Sequence, residues 1–299
     1  MSAPTLTAAT LKVGETATRP STARPKGKRR WVANLIAIVF SVVWIFPVYW
    51  MVNTALKPAS EVLTPTPLFF PLHPTLGNFI DAVNNSTFLD NLRSSVLVVV
   101  VSVVVSAAIA FFACAALTRY RFRARRTIMV TILVVQMLPN VALLIPTFLV
   151  FNDINLLGSY LGLILAYIAM VLPFSIWILR GFFISVPVEI EEAARVDGAS
   201  DWRVLWSVLF PLVAPGIIST SIFAFIAAWN EYILAYTFMK DDTMYTLPIW
   251  LESFSTPNAG TDFGGQMAAS VLFSLPVVVF FMIIQRRLVS GIAAGAVKG

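Results

Sequence analysis

Five of the 15 acidic residues of the sequence lie within one short stretch, between Glu189 and Asp201. Glutamates at the start of this stretch favour the positively polarised N-terminus of a helix, and Pro187 suits the first position of that helix. Glu191 and Arg195 stand four residues apart, in the order that stabilises a helix. These residue types predict a short charged helix whose chemistry is charge pairing and docking rather than catalysis.

A sharp turn is predicted where this helix ends. Gly198 is the residue type that most often follows a helix with positive φ, and Ser200 can cap a second helix that begins at Asp201. Ala193 and Ala194 are small enough to let the first helix lie close against another surface. The pattern therefore predicts a short helix, a sharp turn and a second helix over about residues 187–200, and an ordinary surface loop is the alternative that local physics leaves open.

The sequence has no recognisable residues for catalysis or metal binding. It contains no G-x-x-x-x-G-K-[ST] phosphate loop, no H-E-x-x-H motif and no nucleophile beside a base. Cys114 is the one cysteine, which excludes an intrachain disulfide and a thiolate metal site. We therefore predict that the chain is not an enzyme and binds no cofactor, and that any energy from ATP comes from another polypeptide.

Polar residues within apolar stretches are the remaining candidates for function. Gln136, Asn140, Trp229, Asn230 and Glu231 could line a pathway for a neutral polar solute. Interhelical hydrogen bonding is the alternative role for each of them. Ionisable residues, which ion-coupled transporters need inside the bilayer, are almost absent from the interiors of these stretches.

The composition shows that these residues are positioned by membrane helices. Apolar residues make up 58% of the 299 residues and charged residues 12%, roughly half the share of about 25% in soluble domains. This composition excludes an ordinary soluble enzyme, and it excludes disorder for most of the chain. In a membrane protein the net charge of +6 is interpreted by its positions, so we predict a lipid bilayer and no nucleic acid as a partner.

Six apolar stretches are long enough to cross a bilayer, which takes about 20 residues each. They are approximately Trp31–Val52, Asn91–Leu117, Thr127–Phe151, Ser159–Ile184, Val204–Phe238 and Gln266–Ile284. Prolines lie within several of these spans, so neighbouring helices must satisfy the freed carbonyl groups and the helices are expected to pack as a bundle.

The basic residues predict one orientation of these spans. Of the 21 Lys and Arg residues, 18 lie in the N-terminal segment, in the loops after spans two and four, or in the C-terminal tail. Cytoplasmic loops retain Lys and Arg, so both termini are predicted to be cytoplasmic. Residues 1–30 are predicted to be a disordered tail whose basic end touches anionic lipid headgroups, and residues 31–299 the membrane domain.

The segment described first resembles the signature of permease subunits of binding-protein-dependent ABC importers. That signature is EAA, three residues, Gly, nine residues and I-x-L-P; here it is Glu192, Ala193, Ala194 and Gly198, then VLFP ending at Pro211. Three further stretches are similar to the second, maltose-type permease of the carbohydrate branch: WNEYILA from Trp229, TLPIWLESF from Thr246 and GIAAGAVKG from Gly291. The resemblance covers roughly residues 78–299.

The resemblance implies an all-α integral membrane protein with the transmembrane-domain fold of type I ABC importers, in a bacterial or archaeal cell membrane. The implied partners are a second homologous permease subunit, two ATPase subunits that carry ATP and Mg, an extracytoplasmic sugar-binding protein and a mono- or oligosaccharide substrate. The outer loop at about 240–265 would contact the binding protein. The short helix from Pro187 to Asp197 would be the coupling helix that docks on an ATPase subunit. The residues implied to couple to the ATPase are Glu191, Glu192, Ala193, Ala194, Asp197 and Gly198.

Two alternatives to a sugar permease are an ABC importer permease for another solute, such as glycerol phosphate or polyamines, and a channel or carrier outside the ABC class. A charged solute would favour compensating charge along the pathway. A channel or an ion-coupled carrier would need a charged filter or intramembrane acids. The spans offer little of either, which favours a neutral sugar.

Overall fold

In this computed structural model the described residues are 27–256 and 260–296. The predicted disordered tail therefore lies, up to residue 26, outside the described residues. The helices in chain order are α1 Gly27–Ala55, α2 Ala59–Val62, α3 Gly77–Asn84, α4 Phe88–Arg119, α5 Arg125–Met137, α6 Leu144–Asp153, α7 Tyr160–Ser185, α8 Val188–Val196, α9 Asp201–Arg203, α10 Phe210–Trp229, α11 Ile233–Phe238, α12 Leu247–Glu252 and α13 Phe263–Ala296. 

Shorter elements join some of these helices. A 3₁₀ turn at Asn140–Leu143 precedes α6, a π-helix at Val204–Leu209 leads into α10, and a second 3₁₀ turn at Asp242–Met244 precedes α12. Two short antiparallel strands, β1 Ser255–Thr256 and β2 Gly260–Thr261, pair Ser255 with Thr261 just before α13.

The described residues divide into two units, one up to Val48 and the other from Tyr49 onward. In the first unit, the side chains from Trp31 to Val48 are all exposed, and most of them are apolar. An apolar surface of this extent on a helix needs lipid or another chain around it.

The second unit is built around α4, α7 and α10, which pack against one another. The Oγ of Ser94 lies 2.7 Å from the hydroxyl of Tyr160 near the start of α4 and α7, and the Sγ of Cys114 donates to the carbonyl of Ile176 at 3.3 Å near their ends. α4 and α7 therefore run parallel. We call the end where α4 begins the α12 end, and the end where it finishes the α8 end.

Two apolar clusters fill this three-helix core, one at each end. At the α12 end, Val98 and Leu163 pack with Ala228 from the last turns of α10. At the α8 end, Phe111 and Phe183 pack with Val213 from its first turns. α10 is therefore antiparallel to α4 and α7, because its first turns pack against their last ones.

The predicted third span is bent rather than straight. α5 and the segment Asn140–Asp153 meet at an angle of 102°. Leu138 and Pro139 have extended backbones there, as expected for a proline and the residue before it. Because α4 and α7 run parallel, the chain between them must return from the α8 end to the α12 end, and the bent pair makes that crossing.

The predicted fifth span is shorter than expected and ends at Trp229. The Glu231 carboxylate accepts hydrogen bonds from the backbone N–H groups of Leu234 and Ala235, at 2.9 and 3.1 Å. This contact begins the separate helix α11, so the helix does not continue to Phe238 as the apolar run predicted.

The last span runs antiparallel to α10. Phe273 stacks on Trp229, and Phe280, farther along α13, stacks on Phe225. With α1, α4, α7 and α10, this makes five helices among the described residues that are long and apolar enough to cross a membrane, and the bent pair can supply a sixth crossing. An all-α fold with six apolar spans is thus retained, with one span bent.

Candidate functional site

The segment between α7 and α10 forms the predicted short helix, turn and second helix. Pro187, predicted at the first helical position, instead lies one residue before α8 with an extended backbone at φ −60° and ψ 136°, and the helix ends at Val196. Gly198 follows with φ +84°, and its N–H donates to the carbonyl of Arg195 at 3.0 Å. The positive φ at this turn is confirmed, and it is the backbone conformation that glycine adopts without steric cost.

The second half of this segment begins at Ser200. Its Oγ accepts a hydrogen bond from the N–H of Arg203 at 3.4 Å, so the predicted cap is confirmed. Trp202 stacks on Phe112 of α4 at 6.4 Å between ring centroids, and Trp206 contacts both rings edge-on. This aromatic group attaches the start of the fifth span to the last turns of α4.

A buried ion pair holds α8 against the bundle. The Nε of Arg119, the last residue of α4, donates to the Oε1 of Glu191 at 2.5 Å. The exposed fractions of the two side chains are 10% and 2%. Arg119 also donates through Nη2 to the carbonyl of Val186 at 3.2 Å, so one guanidinium joins α4, the end of α7 and α8.

A second arginine, Arg195, joins the end of α8 to the start of α9 across the turn. Arg195 donates through Nε to the Oδ1 of Asp201 at 2.9 Å, and its Nη2 lies 3.9 Å from Glu191 Oε2. The Glu191–Arg195 pair expected from their spacing is present, but the shorter contact of Glu191 is with Arg119. Glu191 is therefore a positioning residue that holds α8, because its carboxylate is buried away from any partner.

The other predicted coupling residues lie on the accessible side of this segment. Glu192, Ala193, Asp197 and Gly198 are exposed, and Ala194 is half-buried. Val196 beside them is 88% exposed, and Trp202 is 64% exposed. We call the surface formed by Glu192, Ala193, Val196 and Trp202 the α8 face. It combines an acidic side chain with exposed apolar ones, of which Trp202 is covered on one side by Phe112.

The predicted pathway residues fall into two groups. Trp229 is 2% exposed, donates to the carbonyl of Phe273 at 3.3 Å and stacks on two phenylalanines. Glu231 caps α11 and accepts from the hydroxyl of Tyr167 at 3.1 Å. These contacts give both residues a structural role. Gln136, Asn140 and Asn230 are exposed. The pathway interpretation stays a prediction for all five residues.

Sequence reasoning missed two residues of this site, Arg119 and Trp202. Arg119 counted only as one basic residue of a loop, although it is the buried partner of Glu191, 72 positions later. No local signal pairs residues at that separation. Within the described parts of the chain, no three His, Cys, Asp or Glu side chains are grouped so that they could hold a metal ion.

The sequence is similar to one family of membrane transport proteins. Residues 109–294 match the family described as binding-protein-dependent transport system inner membrane component. The diacetylchitobiose uptake system permease protein DasC of Streptomyces coelicolor is 42% identical over 266 residues, covering 89% of this chain and 96% of that protein. The trehalose/maltose transport system permease protein MalG of Thermococcus litoralis is 32% identical over 268 residues, covering 88% and 95%.

A solved structure shares the fold. A chain from a bacterial ABC transporter involved in the import of the acidic polysaccharide alginate superposes with a TM-score of 0.76 at 22% identity. The superposition covers 90% of this chain and 99% of that chain.

Proposed function

The chain belongs to the binding-protein-dependent transport system inner membrane components, and from this premise we propose that it is the permease subunit of an ATP-driven sugar importer. As a multi-pass membrane protein of this family, it would form half of the translocation pathway beside a second, homologous permease subunit. The family consists of transport subunits rather than enzymes, so ATP and Mg would be bound by two partner ATPase subunits.

The α8 segment is the observation that carries this proposal. It is short and charged, it is attached to α4 by a buried ion pair, and it exposes apolar side chains on its other side. Exposed apolar groups within a polar surface favour a protein partner, because burial removes them from water. We place an ATPase subunit on the α8 face, so that movement of the ATPase is passed to α4 through Arg119.

A neutral mono- or oligosaccharide is the substrate class that we infer. Both curated relatives described above carry names of sugar transport systems, for diacetylchitobiose and for trehalose and maltose. The three exposed pathway candidates, Gln136, Asn140 and Asn230, are amides, which can replace the water around sugar hydroxyl groups. They carry no charge that would select an anion or a cation.

The α12 end of the protein would contact the binding protein. The predicted outer loop 240–265 is largely ordered by α12, in which Leu247 and Trp250 are buried, and the N–H of Leu247 donates to Ser95 Oγ of α4 at 2.7 Å. The hairpin of β1 and β2 is therefore the part of this loop that can reach outward. We infer that it contacts the extracytoplasmic sugar-binding protein.

Uptake by the reconstituted complex tests this function. Proteoliposomes containing this chain, its partner permease and the ATPase are given binding protein and labelled diacetylchitobiose, trehalose, maltose, glycerol 3-phosphate or spermidine. We expect ATP-dependent uptake of at least one neutral sugar, and no uptake when this chain is omitted. Uptake of only the phosphate ester or only the polyamine would establish the alternative solute class instead.

A further inference from the structure

A cavity lies at the α12 end, far from the α8 face. Its volume is about 420 Å³, within the range of about 300–1,000 Å³ typical of small-molecule sites. The turn at residues 85–87, the helix α11 and the chain from Asp242 to Ser253 surround it. We call it the α12-end cavity; it is lined chiefly by Tyr232, Tyr236, Tyr245, Trp250, Asp242 and Glu252.

The wall of this cavity is held in place by α4. With its amide oriented so that the nitrogen donates, Asn91 bonds the backbone carbonyls of Asp242 and Tyr245 at 2.8 and 3.1 Å. Trp250 is 2% exposed and packs against Phe88 of α4, with 4.9 Å between the ring centroids. The lining is therefore preformed by contacts within the chain.

Aromatic rings supply one kind of surface in the cavity. Tyr232 and Tyr236 are stacked, with centroids 5.5 Å apart and planes 13° from parallel, and Tyr236 is 57% exposed. A pyranose ring presents C–H groups on its faces and hydroxyl groups around its edge. An aromatic face can cover the C–H groups, while the tyrosine hydroxyls reach polar partners.

Carboxylates supply the second kind of surface in the cavity. Asp242 and Glu252 are exposed on the cavity, and ionised carboxylates only accept hydrogen bonds, so they suit the hydroxyl groups of a sugar. Burial, and then the charge of Glu252, raises the pKa of Tyr232; burial, and then the charge of Asp242, raises the pKa of Tyr245. Both tyrosines thus keep their hydroxyl protons at neutral pH. Two carboxylates also disfavour an anionic solute.

We propose that the α12-end cavity binds one or two pyranose units of a neutral saccharide. It lies beside Ser253, two residues before the hairpin that we assign to the binding protein, so it could hold sugar as it leaves that protein. The substrate class rests on the proposed function, whereas the site itself rests on the cavity and its lining.

Saturation-transfer NMR on the membrane complex in nanodiscs, without binding protein, tests the site. Diacetylchitobiose, maltose and trehalose serve as probes. Tyr236→Ala and Glu252→Gln should each weaken binding of the responding sugar about tenfold, a loss of roughly 1.4 kcal/mol. Ile233→Ala is the matched control, because Ile233 is an exposed residue of the same helix α11 that does not line the cavity. It should bind like the parent.

Uptake measured on the same variants separates this proposal from the function. If the parent imports a neutral sugar and both variants keep its NMR signal, the site is wrong and the function stands. If no sugar is imported but a saccharide signal is lost in the variants, the site stands and the function fails. If the variants lose capture of the binding protein while the sugar signal is unchanged, the cavity is a protein contact and the proposal is overturned.

Discussion

Arg119 is the residue on which the position of α8 depends most directly. Its guanidinium contacts Glu191 and the carbonyl of Val186, and both side chains of the pair are buried. Removing one member of such a pair leaves an uncompensated buried charge, which costs about 3–5 kcal/mol. Replacing both Arg119 and Glu191 with apolar residues leaves no uncompensated charge, so this cost does not arise.

We therefore predict that Arg119→Met and Glu191→Leu each lower the unfolding temperature of the purified complex, and that the double variant loses less than the sum of the two. Arg121→Met is the control, because Arg121 is exposed. Sugar-stimulated ATP hydrolysis should fall with the single changes. Additive losses in a double-mutant cycle would contradict a direct pair.

Gly198 is the second residue-scale test. A side chain at φ +84° costs roughly 1–2 kcal/mol. Apart from its chain neighbours, no described residue has an atom within 4 Å of the position that a Cβ would take, so the cost is one of backbone alone. We expect Gly198→Val to reduce capture of the ATPase and sugar-stimulated hydrolysis. Gly181→Ala, within the regular helix α7 and equally open, should leave both unchanged.

The α8 face itself is tested by side chains that change its shape or charge. Ala194→Trp adds bulk beside the face, and Glu192→Lys puts a positive charge near the helix N-terminus and at the proposed interface. Both should weaken ATPase docking and leave the bundle folded, because both positions lie outside the spans. Normal ATPase binding with full hydrolysis and uptake would mean that this segment is an ordinary loop.

At the scale of elements, the loop before α4 is held by one buried carboxylate, that of Glu61. The Glu61 carboxylate accepts from the backbone N–H groups of Leu72 and His73 and contacts His73 Nδ1 at 2.8 Å. Burial alone would raise the pKa of Glu61, but the hydrogen bonds from His73 and from these N–H groups hold it below the ordinary value. The charged form is therefore favoured by folding.

The lowered pKa of Glu61 predicts how the stability of this loop depends on pH. The stabilisation by Glu61 is complete above the ordinary pKa of about 4.3 and is lost as the pH falls through the lowered value. Hydrogen exchange of residues 58–76, corrected for intrinsic rates, should rise at acidic pH in the parent. Glu61→Gln should exchange faster at neutral pH and show less pH dependence. Identical profiles for the two proteins would rule out this role.

The hydropathy of the sequence predicted which segments form apolar helices better than it predicted where those helices bend or end. Pro47, Pro173 and Pro276 lie inside continuous helices, whereas Pro139 coincides with the 102° bend, and the four look alike in sequence. The end of α10 at Trp229 depends on where the Glu231 carboxylate points. The α8 turn was predictable because Gly198 and Ser200 act on their own neighbours, while the Arg119–Glu191 contact depends on tertiary packing.

At the scale of the whole molecule, the order of the helices predicts which ends share a side of the membrane. The α8 segment and the hairpin lie at opposite ends of α4, since Arg119 contacts α8 and Ser95 contacts α12. In a Cys114→Ala background, a cysteine at Ser255 should react with an impermeant reagent from outside, and one at Ser200 should react only after permeabilisation. The reverse pattern would invert the orientation.

One feature of α4 links the two ends of the protein mechanically. The helix has 32 residues without proline or glycine, which makes it about 48 Å long at 1.5 Å per residue. A rod of that length converts a tilt of about 5° into a displacement of roughly 4 Å at its tip. Because Arg119 is held at one end and Asn91 and Ser95 lie near the other, a rigid tilt of α4 would carry motion from the α8 face to the α12-end cavity.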